Sequence, residues 1–470
     1  MTLTNEQDNR NVVYWGKKNQ KKLYDSRVTV VGSDTLAQMA ASCLAGIGVG
    51  NISLIDNKRI NKGDLDFLCF AKDDNVWNIG KKKVEQICGL VSRINQSPNV
   101  VPLHSKFVEA FCYNYLHPDI IIDATNDSTS KYNVLKYSRD MGIPMVSVSS
   151  NYHTGIISCF KPSEKKIDRK FQKIDVEAMV HNEYEELMQG SHTSGVIAGL
   201  AVEEVRKYLF KIDGNDYDNN LENCKRLYFN PYSNSRNTKD LDLNKDNTIN
   251  LRNKSALVVG AGALGNFVSL NLALLGIGSM DIVDGDIIEP TNLNRQILLY
   301  DRIGQSKVET LQERIKKIDP KIKVNPINKF LEGKDPVLWE NPNKYDVVFG
   351  CLDNREARMI VDSYCTDRCM PYIDGGTSPS AGQVAIYMPD KSPSICRQVT
   401  FSKKKRSCMD EPDPSVVMSN IIIGSAMVGE AFHVMSKFSD SYEVKGIVSY
   451  DAFTGSRIYL RKIKGVGGKK

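Results

Sequence analysis

A stretch of this chain occurs twice. Val30-Val31-Gly32 and the following Ser33-Asp34-Thr35-Leu36-Ala37 return 228 residues later as Val258-Val259-Gly260 and Ala261-Gly262-Ala263-Leu264-Gly265. The same offset carries Asp56, closing GVGNISLID, onto Asp284, closing GIGSMDIVD. With small gaps, IGKKKVE around Lys83 matches IGQSKVE around Lys307, and DIIIDATNDS matches YDVVFGCLDN, which sets Asp127 against Asp353. Apolar runs that alternate with helical stretches in each copy predict a mostly parallel sheet with right-handed crossovers. The expected fold class is therefore α/β, with two tandem domains related by a pseudo-twofold. Residues 1–211 form the first, 251–470 the second, and the Asn- and Asp-rich 212–250 connects them. Two predicted helices, HTSGVIAGLAVEEVRKYLF and PSVVMSNIIIGSAMVGEAFHVMSKF, recur after each sheet and are natural packing partners.

The second copy carries the fuller chemistry. Val258 and Val259 read as a buried strand, and Gly260, Gly262 and Gly265 permit a tight turn, close approach of backbone to phosphate and close helix packing. Asp284 lies nineteen residues past Gly265, where an acid accepts hydrogen bonds from ribose hydroxyls; Asp286 follows in the same loop. So far this describes a nucleotide site of any kind. NLNRQ then adds Asn292, Asn294, Arg295 and Gln296, IGQSKVE adds Lys307, and CLDN adds Asp353. Two cations suit the β and γ phosphates of a triphosphate. An acid at the carboxyl edge of a sheet can hold Mg²⁺ beside them. Singly, Arg295 and Lys307 also read as surface charges and Asp353 as a helix N-cap. Jointly, in this order and after this loop, they point to ATP and Mg²⁺.

The first copy has lost much of this. Asp34 and Ala37 stand where the second copy has Gly262 and Gly265, and Phe67 stands where it has Arg295. A carboxylate in the phosphate turn repels polyphosphate, and a lost guanidinium removes a bidentate partner. Either the first site is dead or it takes a different ligand.

Composition excludes several classes. A net charge of +6 is spread over 62 basic and 56 acidic residues, which gives no nucleic-acid footprint. Eleven cysteines without a CxxC pair suit reduced thiols better than a disulfide framework or a four-cysteine zinc site. The polar start MTLTNEQDNR and the lack of an unbroken apolar run of eighteen predict a cytoplasmic chain that does not span a membrane.

GAGALG, IVDGDIIEPTNLNRQ, GQSKVE, CLDNREAR and YIDGGTSPSAGQV together resemble the ThiF/MoeB superfamily, which includes the activating enzymes of ubiquitin-like conjugation. The resemblance implies Rossmann-like domains and ATP- and Mg²⁺-dependent adenylation of the C-terminal glycine carboxylate of a small ubiquitin-like protein or peptide. It implies Asp284 for the ribose, Arg295 and Lys307 for the phosphates and Asp353 for Mg²⁺. The opening RNVVYWG is similar to a family pattern whose arginine reaches the partner's ATP in dimers, so Arg10 is expected to serve the second site from the inactive first half. Some members then capture the acyl group as a thioester, for which Cys408, beside Lys403, Lys404, Lys405 and Arg406, is the candidate and Cys396 a weaker one. An unremarkable loop thiol is the competing reading. Cys365 and Cys369, four apart on a predicted helix, read as core. The family's paired zinc-binding CxxC motifs are missing, so no zinc is expected. A downstream conjugating or sulfur-transfer protein and a homodimer remain open. The alternatives are a nicotinamide-dependent oxidoreductase, which has no need of Arg295, Lys307 and Asp353, and a non-catalytic protein-binding scaffold.

Overall fold

The computed structural model describes residues 6–66, 79–107, 116–160, 190–211, 225–231, 235–237, 250–340, 345–399, 413–435, 444 and 446–463. Cys408, its basic neighbours and Phe67 lie outside them.

Helix α1 (Asn9–Asp25) leads into β1 (Arg27–Val31), α2 (Thr35–Gly46), β2 (Asn51–Ile55), α3 (Lys83–Ile94), β3 (Asn99–Leu103), β4 (Ile120–Asp123), α4 (Ser128–Met141), β5 (Met145–Ser150), β6 (Gly155–Phe160), α5 (Ser191–Phe210) and β7 (Lys225–Phe229). These strands make one seven-stranded sheet in the order β3-β2-β1-β4-β5-β6-β7. The first five are parallel and β6 and β7 antiparallel. The second half repeats the plan with β8 (Ser255–Val259), α6 (Ala263–Leu274), β9 (Ser279–Val283), α7 (Lys307–Ile318), β10 (Lys323–Ile327), α8 (Pro336–Trp339), β11 (Val347–Gly350), α9 (Arg355–Asp367), β12 (Tyr372–Thr377), β13 (Ala381–Tyr387), α10 (Ile395–Gln398), α11 (Val417–Met435), β14 (Ile447–Asp451) and β15 (Ile458–Arg461). Its eight-stranded sheet runs β10-β9-β8-β11-β12-β13-β14-β15, parallel through β12. Both are the mostly parallel, Rossmann-like sheets that the repeat predicts. Strand order reverses between β1 and β4 and between β8 and β11, and such a switch point opens a crevice at the carboxyl ends of the strands.

Two expectations need correction. The segment 212–250 is not connection throughout, because β7 lies within it and pairs with β6; its Lys-Arg-Leu-Tyr-Phe run was hidden between Asn- and Asp-rich flanks. The strand registers also change one pairing between the halves. Val31 is paired with Asp123, and Val259 with Gly350, so the counterpart of Asp353 is Asn126 and that of Asn354 is Asp127. The caps agree: Asp127 accepts from the Ser130 amide, and Asn354 from the Ala357 amide.

The halves share one continuous core. Helices α5 and α11 pack on each other, α5 also meets α2, and α11 also meets α6. Helix α11 is long and apolar enough to cross a membrane, but 94% of that apolar window is buried inside the fold. A helix that is apolar all round belongs in an interior, and here both sheets' helices enclose it. A buried ion pair ties this seam. Arg236 makes two bonds to Glu430, both 2.7 Å, which satisfies a buried carboxylate at its full hydrogen-bonding geometry.

Candidate functional site

The glycine turn after β8 is set by close approach. Gly260 has φ +99°, and a Cβ there would meet the Cys351 carbonyl oxygen at 2.3 Å. A Cβ on Gly265 would fall 1.8 Å from the Gly260 oxygen. Only glycine lets α6 start directly above this turn. Asp284, at the end of β9, accepts the Ala261 amide through Oδ2 at 2.6 Å and the Asp286 amide through Oδ1 at 2.8 Å. Burial raises its carboxyl above the ordinary value, although the nearby Lys307 ammonium and both amides work against the rise. Asp286 in turn pairs with Lys307 Nζ at 2.7 Å; the lysine is buried and the acid half-exposed.

Arg295 arrives from the short 3₁₀ turns that follow. Its Nη1 donates to the Thr291 carbonyl at 2.7 Å and to Asn294 Oδ1 at 2.8 Å. Among the described residues no carboxylate forms an ion pair with it. Its pKa is lowered to about 9, first by burial and then by the positive charge of Arg10, while Glu289 and Asp353 oppose this more weakly. Arg10, from α1 of the other half, donates to the Asp413 carbonyl at 2.9 Å. Two neighbouring guanidinium groups of like charge, one of them buried, form a place where an anion would be favoured.

The other NLNRQ residues divide by role. Asn294 is fully buried and donates to Asn11 Oδ1 at 2.8 Å and to the Ser415 carbonyl at 3.0 Å; with Arg295 on its oxygen, it joins the two halves and orients the guanidinium. Asn292 is bound in a capping box with Glu289. Asn292 Oδ1 is thus engaged by the Glu289 amide, and both ends of the Asn294 amide are engaged within the protein. The buried Gln296 keeps an unpartnered Oε1, and its Nε2 lies 3.9 Å from a Cβ built on Gly262. A buried, unsatisfied amide beside a glycine turn is costly without a ligand or water.

Across the crevice, Asp353 stands three residues beyond β11. The N-cap of α9 is Asn354 rather than Asp353, which disposes of the capping reading for Asp353. The loop is fastened from below, where Arg358 donates to the Leu352 and Gly375 carbonyls and pairs with buried Asp374.

Sequence reasoning missed Phe330. It is 61% exposed, three residues past β10, and its ring lies 2.7 Å from a Cβ built on Gly285, between Asp284 and Asp286. An aromatic in the first turn after a strand, at the carboxyl edge next to the acid-bearing strand, was the available signal. Among the thiols, Cys396 is exposed, and partial burial together with the Asp362 carboxylate raises its thiol above the ordinary value, which disfavours the thiolate. Cys365 is buried as expected, but Cys369 is exposed beyond the end of α9.

The ThiF family matches the chain twice, at residues 8–242 and 232–465. A molybdopterin-synthase adenylyltransferase of Escherichia coli K12 is 31% identical over 209 residues, which cover 43% of this chain and 81% of that protein. Ubiquitin-like modifier-activating enzyme 6 of Mus musculus is 35% identical over 153 residues, 31% of this chain and 14% of the relative. SUMO-activating enzyme subunit 2 of Dictyostelium discoideum is 30% identical over 178 residues, covering 37% and 27%. Among solved structures, E. coli MccB with MccA-N7isoASN aligns at TM-score 0.40 and 22% identity, covering 45% of this chain and 65% of that one.

Proposed function

We propose that this chain, which belongs to the ThiF family, uses ATP to adenylate the C-terminal carboxylate of a small ubiquitin-like protein or peptide. The observation that carries the reading is the Arg10–Arg295 pair: two arginines from different halves, one of them buried and without an ion-pair partner among the described residues. A triphosphate supplies the missing charge.

In this reading Asp284 turns from the Ala261 and Asp286 amides to the ribose hydroxyls, and the glycine turn lies under the phosphates. Arg295 and Lys307 hold the β and γ phosphates, with Lys307 released from exposed Asp286, and Arg10 completes the charge in cis. Gln296 offers its unsatisfied amide to the same group. Phe330 gives the base an apolar face beyond the ribose, over β10. Asp353 and the loop that Arg358 fastens would hold Mg²⁺, which supplies charge neutralisation on the phosphates. The acceptor carboxylate oxygen attacks the α-phosphorus; the bond from the α-phosphorus to the bridging oxygen breaks, and its electron pair leaves with pyrophosphate. The chain's own residues contribute position and electrostatics to this step, since neither reactant is activated by a protein nucleophile. Capture of the acyl group by Cys408 as a thioester is a further step that the basic sequence around it favours.

The test is exchange of labelled pyrophosphate into ATP in the presence of Mg²⁺ and candidate small proteins ending in Gly-Gly. Exchange that depends on one such protein and is lost in Asp353→Ala supports the reading. Tight binding of NADH by a chain that does not bind ATP would overturn it.

A further inference from the structure

The first half keeps much of the framework of the second. Gly32, with φ +118°, makes the same turn as Gly260, and a Cβ on it would meet the Ala124 carbonyl at 2.6 Å. Asp56 accepts the Ser33 hydroxyl at 2.6 Å and the Lys58 amide at 2.8 Å, as Asp284 accepts two groups of its own turn. Lys83, the counterpart of Lys307, is buried at the start of α3.

The difference lies in what these groups surround. In the second half the lysine's partner is Asp286, half-exposed and outside the phosphate turn. In the first half that position is Lys58, and the acid has moved into the turn itself as Asp34. Its carboxylate takes Lys83 Nζ on Oδ1 at 3.0 Å, Lys58 Nζ on Oδ2 at 3.1 Å and Asn126 Nδ2 on Oδ2 at 2.9 Å. Asn126 is the counterpart of Asp353. A carboxylate thus collects donors from the positions that flank the phosphates in the second half's proposed site: the lysine of the first helical turn, the loop after the second strand and the loop after the fourth. Burial opposes its ionisation, but the two ammonium groups outweigh this and hold its carboxyl below the usual value. Lys83 also pairs with Asp64 at 2.8 Å, so without Asp34 two lysines would face one acid and an amide donor.

We propose that Asp34 is a built-in anion standing in the place of a phosphate, and that the first half is a closed phosphate-binding cradle whose two lysines bind pyrophosphate or a nucleotide phosphate once that single carboxylate is removed. The inference uses the phosphate reading of the second half through the repeat. It is therefore tested in a chain whose second site is disabled by Arg295→Ala and Asp353→Ala, while failure of that reading shows separately, as absence of pyrophosphate exchange in the unaltered chain.

The probe is inorganic pyrophosphate without added metal, followed by calorimetry at low ionic strength. Adding Asp34→Gly, the residue of the second copy, is expected to create one site per chain and tighten pyrophosphate binding at least tenfold over the disabled parent. Adding Lys83→Met then abolishes it. Ala37→Gly, which lets α2 approach its turn as α6 does, tightens it further. Asp34→Asn, which keeps the side chain's volume, serves if the glycine variant does not fold. The proposal is overturned if the folded Asp34 variants gain no site, if the gained binding survives Lys83→Met, or if the disabled parent already binds pyrophosphate through Lys83.

Discussion

Replacing Arg10 with alanine removes one of two guanidinium groups that the tertiary fold brings together from opposite halves of the chain. Without nucleotide the change has two opposed effects. The exposed bond to the Asp413 carbonyl is lost, at a cost of about 1 kcal/mol. The repulsion that helps lower the pKa of buried Arg295 to about 9 is relieved. The melting temperature should therefore move by no more than about 2 °C. With ATP the balance is one-sided, because a hydrogen bond to a charged group contributes about 1.5–3 kcal/mol, or roughly 10- to 150-fold in affinity at 1.4 kcal/mol per decade. AMP, which lacks the β and γ phosphates, should lose no more than about twofold, since Asp284 and the glycine turn are untouched. Equilibrium dialysis with the two nucleotides reads the contrast directly. Arg10→Lys should fall between, keeping the charge without the planar fork. If Arg10→Ala weakens both nucleotides alike, or neither, the assignment of Arg10 to the distal phosphates is wrong.

Asp353 and Asn354 are adjacent and should separate cleanly. Asp353→Asn is expected to lower pyrophosphate exchange by about 10²-fold or more with little change in melting, whereas Asn354→Ala should lose about 1 kcal/mol of stability with the α9 cap and keep its Mg²⁺ response. Gly265→Ala drives a Cβ into the Gly260 carbonyl; a loss of about 1–3 kcal/mol and of ATP binding, read by denaturant unfolding and dialysis, is the expected outcome. Asp8 gives a pH signature. Its fully buried carboxyl is raised to about 6, mainly by burial, with Tyr24 and Asn11 hydrogen bonds opposing. The folded state therefore binds the proton more tightly than the unfolded chain, and the stability this confers is complete below about pH 4 and lost as pH rises through 6. Asp8→Asn should match the native chain at pH 4 and exceed it by about 3 kcal/mol at pH 8; identical urea midpoints at both pH values would contradict it.

Most of the second half's candidate site could be named from the chain because its parts lie in local motifs. A glycine turn, an acid ending the next strand and a lysine opening the next helix each need only neighbours in sequence. The intramolecular bonds of Asn292 and Asn294 were not legible for the opposite reason: one closes a short cap, and the other bridges to Asn11, far away in the other half. Phe330 went unnoticed because a lone aromatic in a loop has no periodicity. Asp127 was paired with Asp353 because alignment of DATNDS with CLDN rewards matched acids, while strand register does not.

The sequence by itself determined that there are two related α/β halves and that the second has the fuller set of candidate nucleotide-binding residues, since repeat, hydrophobic alternation and turn glycines are properties of short segments. Tertiary structure alone decided which charges meet. Arg10 and Arg295 lower each other's comfort only because α1 packs against the other half, and Asp34 gathers Lys58, Lys83 and Asn126 only because three strand ends converge at one switch point. Electrostatic free energy depends on distance and burial, and neither is written in the order of residues.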